Sequence, residues 1–191
     1  MKADNEITVG FAMCGSFCTF KRVLKAAEKL SEKYDIIPVM SSNSYHTDTR
    51  FGKSEEFVKE LERISGKKVL HTIPEVEPFG PKKILDAIVV APCTGNTLAK
   101  LSLGIADTSV TLAVKAHLRN DRPVIIAISS NDALANNSKN LGYLLNMKNI
   151  YFVPFEQDDP IEKPNSLVAI MEKIPEAVAA ALEGKQLKVL N

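Results

Sequence analysis

The chain has 191 residues, 45% of them hydrophobic and 25% charged, with a formal net charge of +1. These values suit one globular domain over residues 1–191 with a single substantial core, and they leave no electrostatic case for nucleic acid or an anionic membrane. No apolar run is long enough to span a bilayer and MKADNEITVGFA does not read as a signal peptide, so the sequence predicts a cytoplasmic protein with reduced thiols at Cys14, Cys18 and Cys93.

The first predicted strand, Ile7–Ala12, runs into GFAMCGSFCTFK (Gly10–Lys21). Gly10 and Gly15 have the spacing of P-loop glycines, but Ser16 stands where the lysine belongs, and a GxGxxG fingerprint is absent. What remains is Gly15, Ser16 and Thr19 at a helix N-terminus, whose N–H groups, hydroxyls and dipole suit one phosphate. The same residues also suit a plain cap and polar turn. Phe20, Val23, Leu24, Ala27 and Leu30 trace a buried helical face before a second strand, Ile36–Met40. Ser41 and Ser42 follow, able to offer hydroxyls to the same anion, and open a long polar loop, Ser41–Lys53. Ser54 is expected to cap a helix buried through Phe57, Leu61 and Ile64 and ended by Gly66. Val69–Ile73 reads as a further strand.

Ala87–Ala91 is apolar enough for the middle of a parallel sheet. Pro92 is expected to interrupt its ladder. Thr94, Gly95 and Asn96 then lead into a helix marked by Leu98, Leu101 and Ile105. Asp107 or Thr108 is placed to cap a helix through Arg119, ahead of strands Val124–Ser129 and Ile150–Val153. The acidic, proline-bearing stretch Phe155–Asn165 reads as a long loop. A last helix is expected from Asn165 or Ser166 through Glu183. Such alternation predicts an α/β fold: a three-layer open parallel sheet with helices on both faces. Ligands of such sheets bind beyond the carboxyl ends, where the loops after Ala12, Met40, Ala91 and Ser129 converge. Neither the cysteine spacing nor the histidines form a metal-ligand pattern, and no metal is expected.

GSFCTFK resembles the first loop, and APCTGNTLAKLSLGIAD (Ala91–Asp107) the Asn-Thr region, of the flavoprotein family of FMN-binding cysteine decarboxylases. The resemblance implies a flavodoxin- or Rossmann-like fold. It carries phosphate and flavin contacts onto Gly15, Ser16, Ser41, Thr94, Asn96 and Thr97, with Ser42, Ser129 and Ser130 beside them. It also implies a homo-oligomer, since relatives assemble as trimers or dodecamers.

Departures narrow this reading. Pro78 stands where the decarboxylases carry an active-site histidine, with His71 earlier in an apolar strand. Ser129-Ser130-Asn131-Asp132 replaces their Pro-Ala-Met-Asn segment, and no cysteine follows Cys93 to serve a substrate lid. NDRPVIIAISSNDAL, TDTRFG, the GPK of Gly80–Lys82 and FEQDDPIEKPNS resemble a narrower branch, the B subunits of dipicolinate synthases in spore formers. That branch implies an A-subunit partner carrying NAD(P), joint oxidation of dihydrodipicolinate to dipicolinate during sporulation, and FMN as a candidate cofactor through the inherited phosphate site. Two alternatives stay open: an FMN-dependent decarboxylase of a cysteine-containing substrate, and a non-catalytic FMN- or phosphate-binding partner.

No catalytic residue follows from the pattern alone; Asn96 and Arg50 are the candidates. A small dicarboxylate needs cations and N–H donors, which Arg50 would supply, with Lys53 or Lys82 as weaker choices. Arg50 equally suits a solvated loop charge. His46 reads as a proton relay or a surface residue, and His71 and His117 as packed or exposed. Cys93 reads as a space-filling residue, and Asp158 and Asp159 as partner contacts or turn caps.

Overall fold

Strands β1 (Thr8–Met13), β3 (Ala87–Cys93) and β4 (Val124–Ser130) are nearly continuous apolar runs, and almost every residue in them is buried. Only a sheet covered on both faces buries such runs completely. In this computed structural model, which describes residues 6–189, they form the centre of a seven-stranded sheet: six strands in the order β2 (Asp35–Met40), β1, β3, β4, β7 (Lys163–Ala169) and β6 (Phe155–Asp159), with β5 (Ile150–Phe152) paired to β4 beside this path. The expectation of no leader falls partly on residues 1–5, outside the described part. β1 pairs in parallel with β2 (Asp35–Met40) on one side and β3 on the other, and β3 pairs in parallel with β4.

α1 (Phe20–Ser31) buries Phe20, Val23, Leu24, Ala27 and Leu30, the face its periodicity predicts. It packs with α8 (Ile174–Leu182) on one side of the sheet, and α3 (Ser54–Ser65) extends that layer beside β2. α5 (Gly95–Ser102), α6 (Ser109–Leu118) and α7 (Ser138–Leu145) form the other layer. Each buried Val, Ile, Leu or Phe contributes about 1.5–3 kcal/mol, so burial of these two layers dominates the stability. Among the described residues no helix is long and apolar enough to cross a membrane.

The structure corrects several expectations. The sheet is mixed. β4 shares its outer edge: Val124–Ile126 pair in parallel with β5 (Ile150–Phe152), while Ser129 and Ser130 pair antiparallel with β7 (Lys163–Ala169). β7 in turn pairs with β6 (Phe155–Asp159), so the expected loop Phe155–Asn165 is most of a β-hairpin. β5 is shorter than β4 and stops below Ser129, and β7 satisfies the backbone groups left beyond it. The helix expected from Asn165 accordingly begins only at Ile174.

Val69–Ile73 does not form a strand. Leu70 makes one isolated bridge to Val39, and Glu75 then accepts from the N–H groups of His71 and Thr72 to start α4 (Ile73–Val76), with Pro74 in its first turn. Pro92 does not end β3, which continues to Cys93 with a shift of register after Val90. The loop after β2 holds a short helix, α2 (Ser42–His46). Ser54 is not the cap of α3: the Asp48 carboxylate accepts from both its N–H and its hydroxyl. Of the two caps expected for α6, Thr108 serves, as expected, and Asp107 pairs instead with Lys100.

Candidate functional site

The carboxyl ends of β1, β3 and β4 bring three polar turns together. After β1, a single 3-10 turn (Phe17–Thr19) precedes α1, and the Thr19 hydroxyl donates to the Ser16 carbonyl. That bond fixes the loop with the Ser16 hydroxyl 2.7 Å from the hydroxyl of Ser129 at the end of β4. Ser130 donates to Asp132 at 2.5 Å, and Asn137 donates to the other oxygen of the same carboxylate at 2.7 Å. After β3, Thr94 caps α5 by accepting from the Thr97 N–H at 3.2 Å. Gly95 permits this convergence: a Cβ there would stand 2.5 Å from Ser130 Oγ and 2.7 Å from Asp132 Oδ1. The α5 N-terminus can approach β4 so closely only without a side chain.

Two adjoining clefts open on these turns. The larger, about 700 Å³, is lined by Ser16, Arg50, Thr94, Ser129, Ser130 and Lys163 among others. The smaller, about 410 Å³, is lined by Ser41, Ser42, Asn96, Thr97 and Lys100 among others. Gly15 and Thr94 belong to both linings and form the wall between them. All nine residues expected to hold a mononucleotide therefore lie at this edge, but not around one anion. Ser41 and Ser42 face the smaller cleft and not the one that holds Ser16. Ser41 is moreover engaged as the cap of α2, accepting from Ser44 N–H and bonded to the Ser44 hydroxyl at 2.8 Å.

Arg50 sits in a tight turn, with Thr49 and Gly52 exchanging two backbone hydrogen bonds of 3.1 Å around it. Gly52 has φ +149°, and a Cβ there would strike the Phe57 ring at 2.7 Å, so the turn requires glycine. The Arg50 guanidinium lies over the Phe51 ring, 4.9 Å from its centroid. Of the weaker cation candidates, Lys82 lies in the segment that enters β3, at the opposite end of the sheet, and Lys53 is the exposed residue before α3.

The remaining candidates fall outside both clefts or under them. Pro78 lies in the 3-10 turn Glu77–Phe79, which packs on α6. His71 stacks on Tyr45 at 3.8 Å between ring centroids, and His46 meets Tyr45 edge-on. His117 is buried with Nε2 3.0 Å from the Pro123 carbonyl, and burial lowers its pKa to about 4. Cys93 is fully buried beneath the Thr94 turn, and desolvation holds its thiol far above the usual range. Its neighbour Cys14 is pushed up to about 11 by burial, despite bonds to Thr97 and to the Thr94 backbone that act the other way. Asp159 is a turn cap, accepting from the N–H groups of Ile161 and Glu162.

Sequence reasoning missed Lys163 and Asp158 as cleft residues. They lie on facing arms of the hairpin and form an ion pair of 2.6 Å that raises the Lys163 pKa. No pattern in the residues marked them, because the hairpin shows no apolar alternation before Ser166. It also missed the polar chain Ser130–Asp132–Asn137–Asn140–Ser102, which ties β4 to the layer of α5 and α7.

Comparison with known proteins agrees with this geometry. The family model described as Flavoprotein matches residues 1–183. The chain is 45% identical over 181 residues to the B subunit of dipicolinate synthase from Bacillus subtilis (strain 168), covering 94% of this chain and 90% of that protein. The crystal structure of the dipicolinate synthase B subunit from Bacillus halodurans C superposes with a TM-score of 0.91 at 43% identity, covering 100% of this chain and 98% of that one. The FMN-dependent cysteine decarboxylase SpaF superposes at 0.67 over 94% of this chain and 99% of its own, but at 22% identity it shows a shared fold alone. The chain belongs to the Flavoprotein family, and its whole-length likeness within that family is to dipicolinate synthase B subunits.

Proposed function

We propose that this chain serves as the B subunit of a dipicolinate synthase. It would assist the oxidation of dihydrodipicolinate to dipicolinate with an A subunit that carries the nicotinamide. The single observation behind this reading is identity of 45% sustained over 94% of the chain to the Bacillus subtilis protein of that name. In the reaction the dihydropyridine ring loses a hydride to the partner's nicotinamide and a proton to solvent, and becomes aromatic. This chain's contribution is binding and orientation. Both substrate and product are dianions, and the larger cleft offers the cations Arg50 and Lys163.

The donor set around Ser16 also suits the phosphate of FMN: three neighbouring hydroxyls, with the first turn of α5 beside them. Ser16, Ser129 and Ser130 would hold that phosphate, and Asn96 and Thr97 line the adjoining cleft into which the rest of a mononucleotide would extend. Bound flavin would supply a two-electron acceptor. The purified protein's visible absorption spectrum tests for it directly.

The chain is further proposed to form one domain, to act in the cytoplasm and to assemble as a homo-oligomer, trimer or dodecamer. Exposed Leu103, Tyr143 and Leu145 on one helical layer support self-association. Light scattering on the purified protein measures it.

The function is tested by mixing the chain with its A subunit, dihydrodipicolinate and a nicotinamide, and following nicotinamide reduction. Stimulation over the rate of the partner by itself is expected. An unchanged rate would overturn the reading. The decarboxylase alternative is not better supported: the FMN-dependent cysteine decarboxylase SpaF is 22% identical to this chain, against 45% for the dipicolinate synthase B subunit.

A further inference from the structure

The larger cleft has two cations and one acid in its lining, and they come from segments far apart in the chain. Arg50 is presented on a turn that is held at both ends. Asp48 is bonded to Ser54 at 2.8 and 3.0 Å, and Thr49 and Gly52 close the corner. Lys163 opens β7 on the hairpin that joins the sheet through Ser129 and Ser130, two of the residues on the cleft floor. Its ammonium is held by a carboxylate already within the lining, Asp158 Oδ2 at 2.6 Å. Both members of that pair are about half exposed. At such exposure an ion pair contributes little to stability, and an incoming carboxylate can exchange with it. The Asp158 backbone lies at an irregularity of the hairpin, where the pairing between Gln157 and Asp159 shifts register. Asp158 is therefore not locked by a regular ladder.

We propose that this cleft binds a small planar dicarboxylate through Arg50 at one carboxylate and Lys163 at the other, with Asp158 a stand-in carboxylate that the ligand displaces from Lys163. The inference rests on the function proposed above and assigns the residues that make the site selective for two carboxylates over one. A monocarboxylate leaves one cation with its original partner and gains a single charge-assisted contact. A dicarboxylate engages both. Asp158 acts as a selectivity device, because any ligand unable to replace it meets an acid in the cleft instead of a free ammonium.

The test is calorimetric titration of the full chain with pyridine-2,6-dicarboxylate and, separately, pyridine-2-carboxylate. Wild type, Arg50→Gln, Lys163→Gln and Asp158→Asn are compared, with circular dichroism confirming the fold of each. Wild type is expected to prefer the dicarboxylate. Arg50→Gln and Lys163→Gln should each weaken its binding about tenfold and remove most of the preference. Asp158→Asn should tighten dicarboxylate binding several-fold, by releasing Lys163, which a merely structural ion pair would not do. Unchanged binding in Lys163→Gln, or weakened binding in Asp158→Asn, overturns the proposal, as does wild type showing no preference. Stimulation of the partner by each variant is measured in parallel. If wild type stimulates and all variants bind like it, the assignment fails while the function stands. If wild type neither stimulates nor binds, both fail.

Discussion

The hydroxyls of Ser16 and Ser129 lie 2.7 Å apart although 113 residues separate them in sequence. Each is held from behind: Ser16 by the bond of Thr19 to its carbonyl, Ser129 by pairing of β4 with Val168 of β7. Their mutual bond leaves both oxygens able to turn toward an anion in the cleft. Replacing Ser16 by alanine should weaken FMN binding about tenfold, the effect expected for one hydrogen bond to a charged oxygen. Quenching of flavin fluorescence on titration reads this directly, and equal affinity in the variant would remove Ser16 from the site.

Gly95→Ala tests the close approach of α5 to β4. The added methyl meets Ser130 Oγ, Asn137 Nδ2 and Asp132 Oδ1, all within 2.7 Å. Overpacking of this kind costs about 1–3 kcal/mol, and here it also disturbs the bonds centred on Asp132. A lower midpoint in chemical denaturation is expected, together with weakened ligand binding. A variant as stable as wild type would show that α5 shifts freely against β4.

His117 should give the protein an acid-sensitive component. Its folded pKa is depressed to about 4 from an ordinary 6.5, chiefly by burial. The native state thus refuses a proton that the unfolded chain accepts. The contribution is complete above pH 6.5 and is lost as pH falls from there toward 4, amounting to about 3 kcal/mol at most. Urea midpoints at pH 7 and pH 5 should differ more for wild type than for His117→Gln, in which the titrating group is gone. Parallel shifts in the two proteins would count against the assignment.

The three thiols should separate by reactivity. Cys18 is exposed in the larger cleft, whereas Cys14 and Cys93 are buried, with their thiols raised by desolvation. A disulfide reagent at pH 8 should titrate one thiol rapidly and the others only on unfolding. Cys18→Ser should abolish the fast phase.

Much of this architecture is legible in the residues themselves. Ala87–Ala91 reads as a central parallel strand because nothing polar interrupts it, and the start of α5 reads from the small polar cluster Thr94, Gly95 and Asn96 ahead of helical spacing. The hairpin was not legible. FEQDD and KPNS have no apolar alternation, since their side chains up to Ser166 are mostly solvent-exposed, and two prolines argue against any strand. What makes them strands is the unpaired upper end of β4, a demand set by tertiary structure. The same reason hid Lys163, which enters the cleft only once the hairpin folds back over Ser129 and Ser130. Arg50 was legible as a cation in a functional loop, but its tight turn depends on Gly52 meeting Phe57, a contact made only on folding.

The divided outer edge of β4 also sets how the molecule breathes. Its lower half is clamped between β3 and β5, while β7 pairs with the upper half at Ser129 and Ser130 and the hairpin's base, Phe155 and Leu167–Ala169, is buried in the core. The exposed outer part of the hairpin, residues 156–165, can then open locally while its base and the parallel strands stay closed, and its backbone amides should exchange with solvent faster than those of β1 or β3. Any ligand gripped by Lys163 joins the arm to the body. Occupancy of the cleft would thus be written into the exchange rates of residues 156–165, a signature visible even where no colour or turnover is.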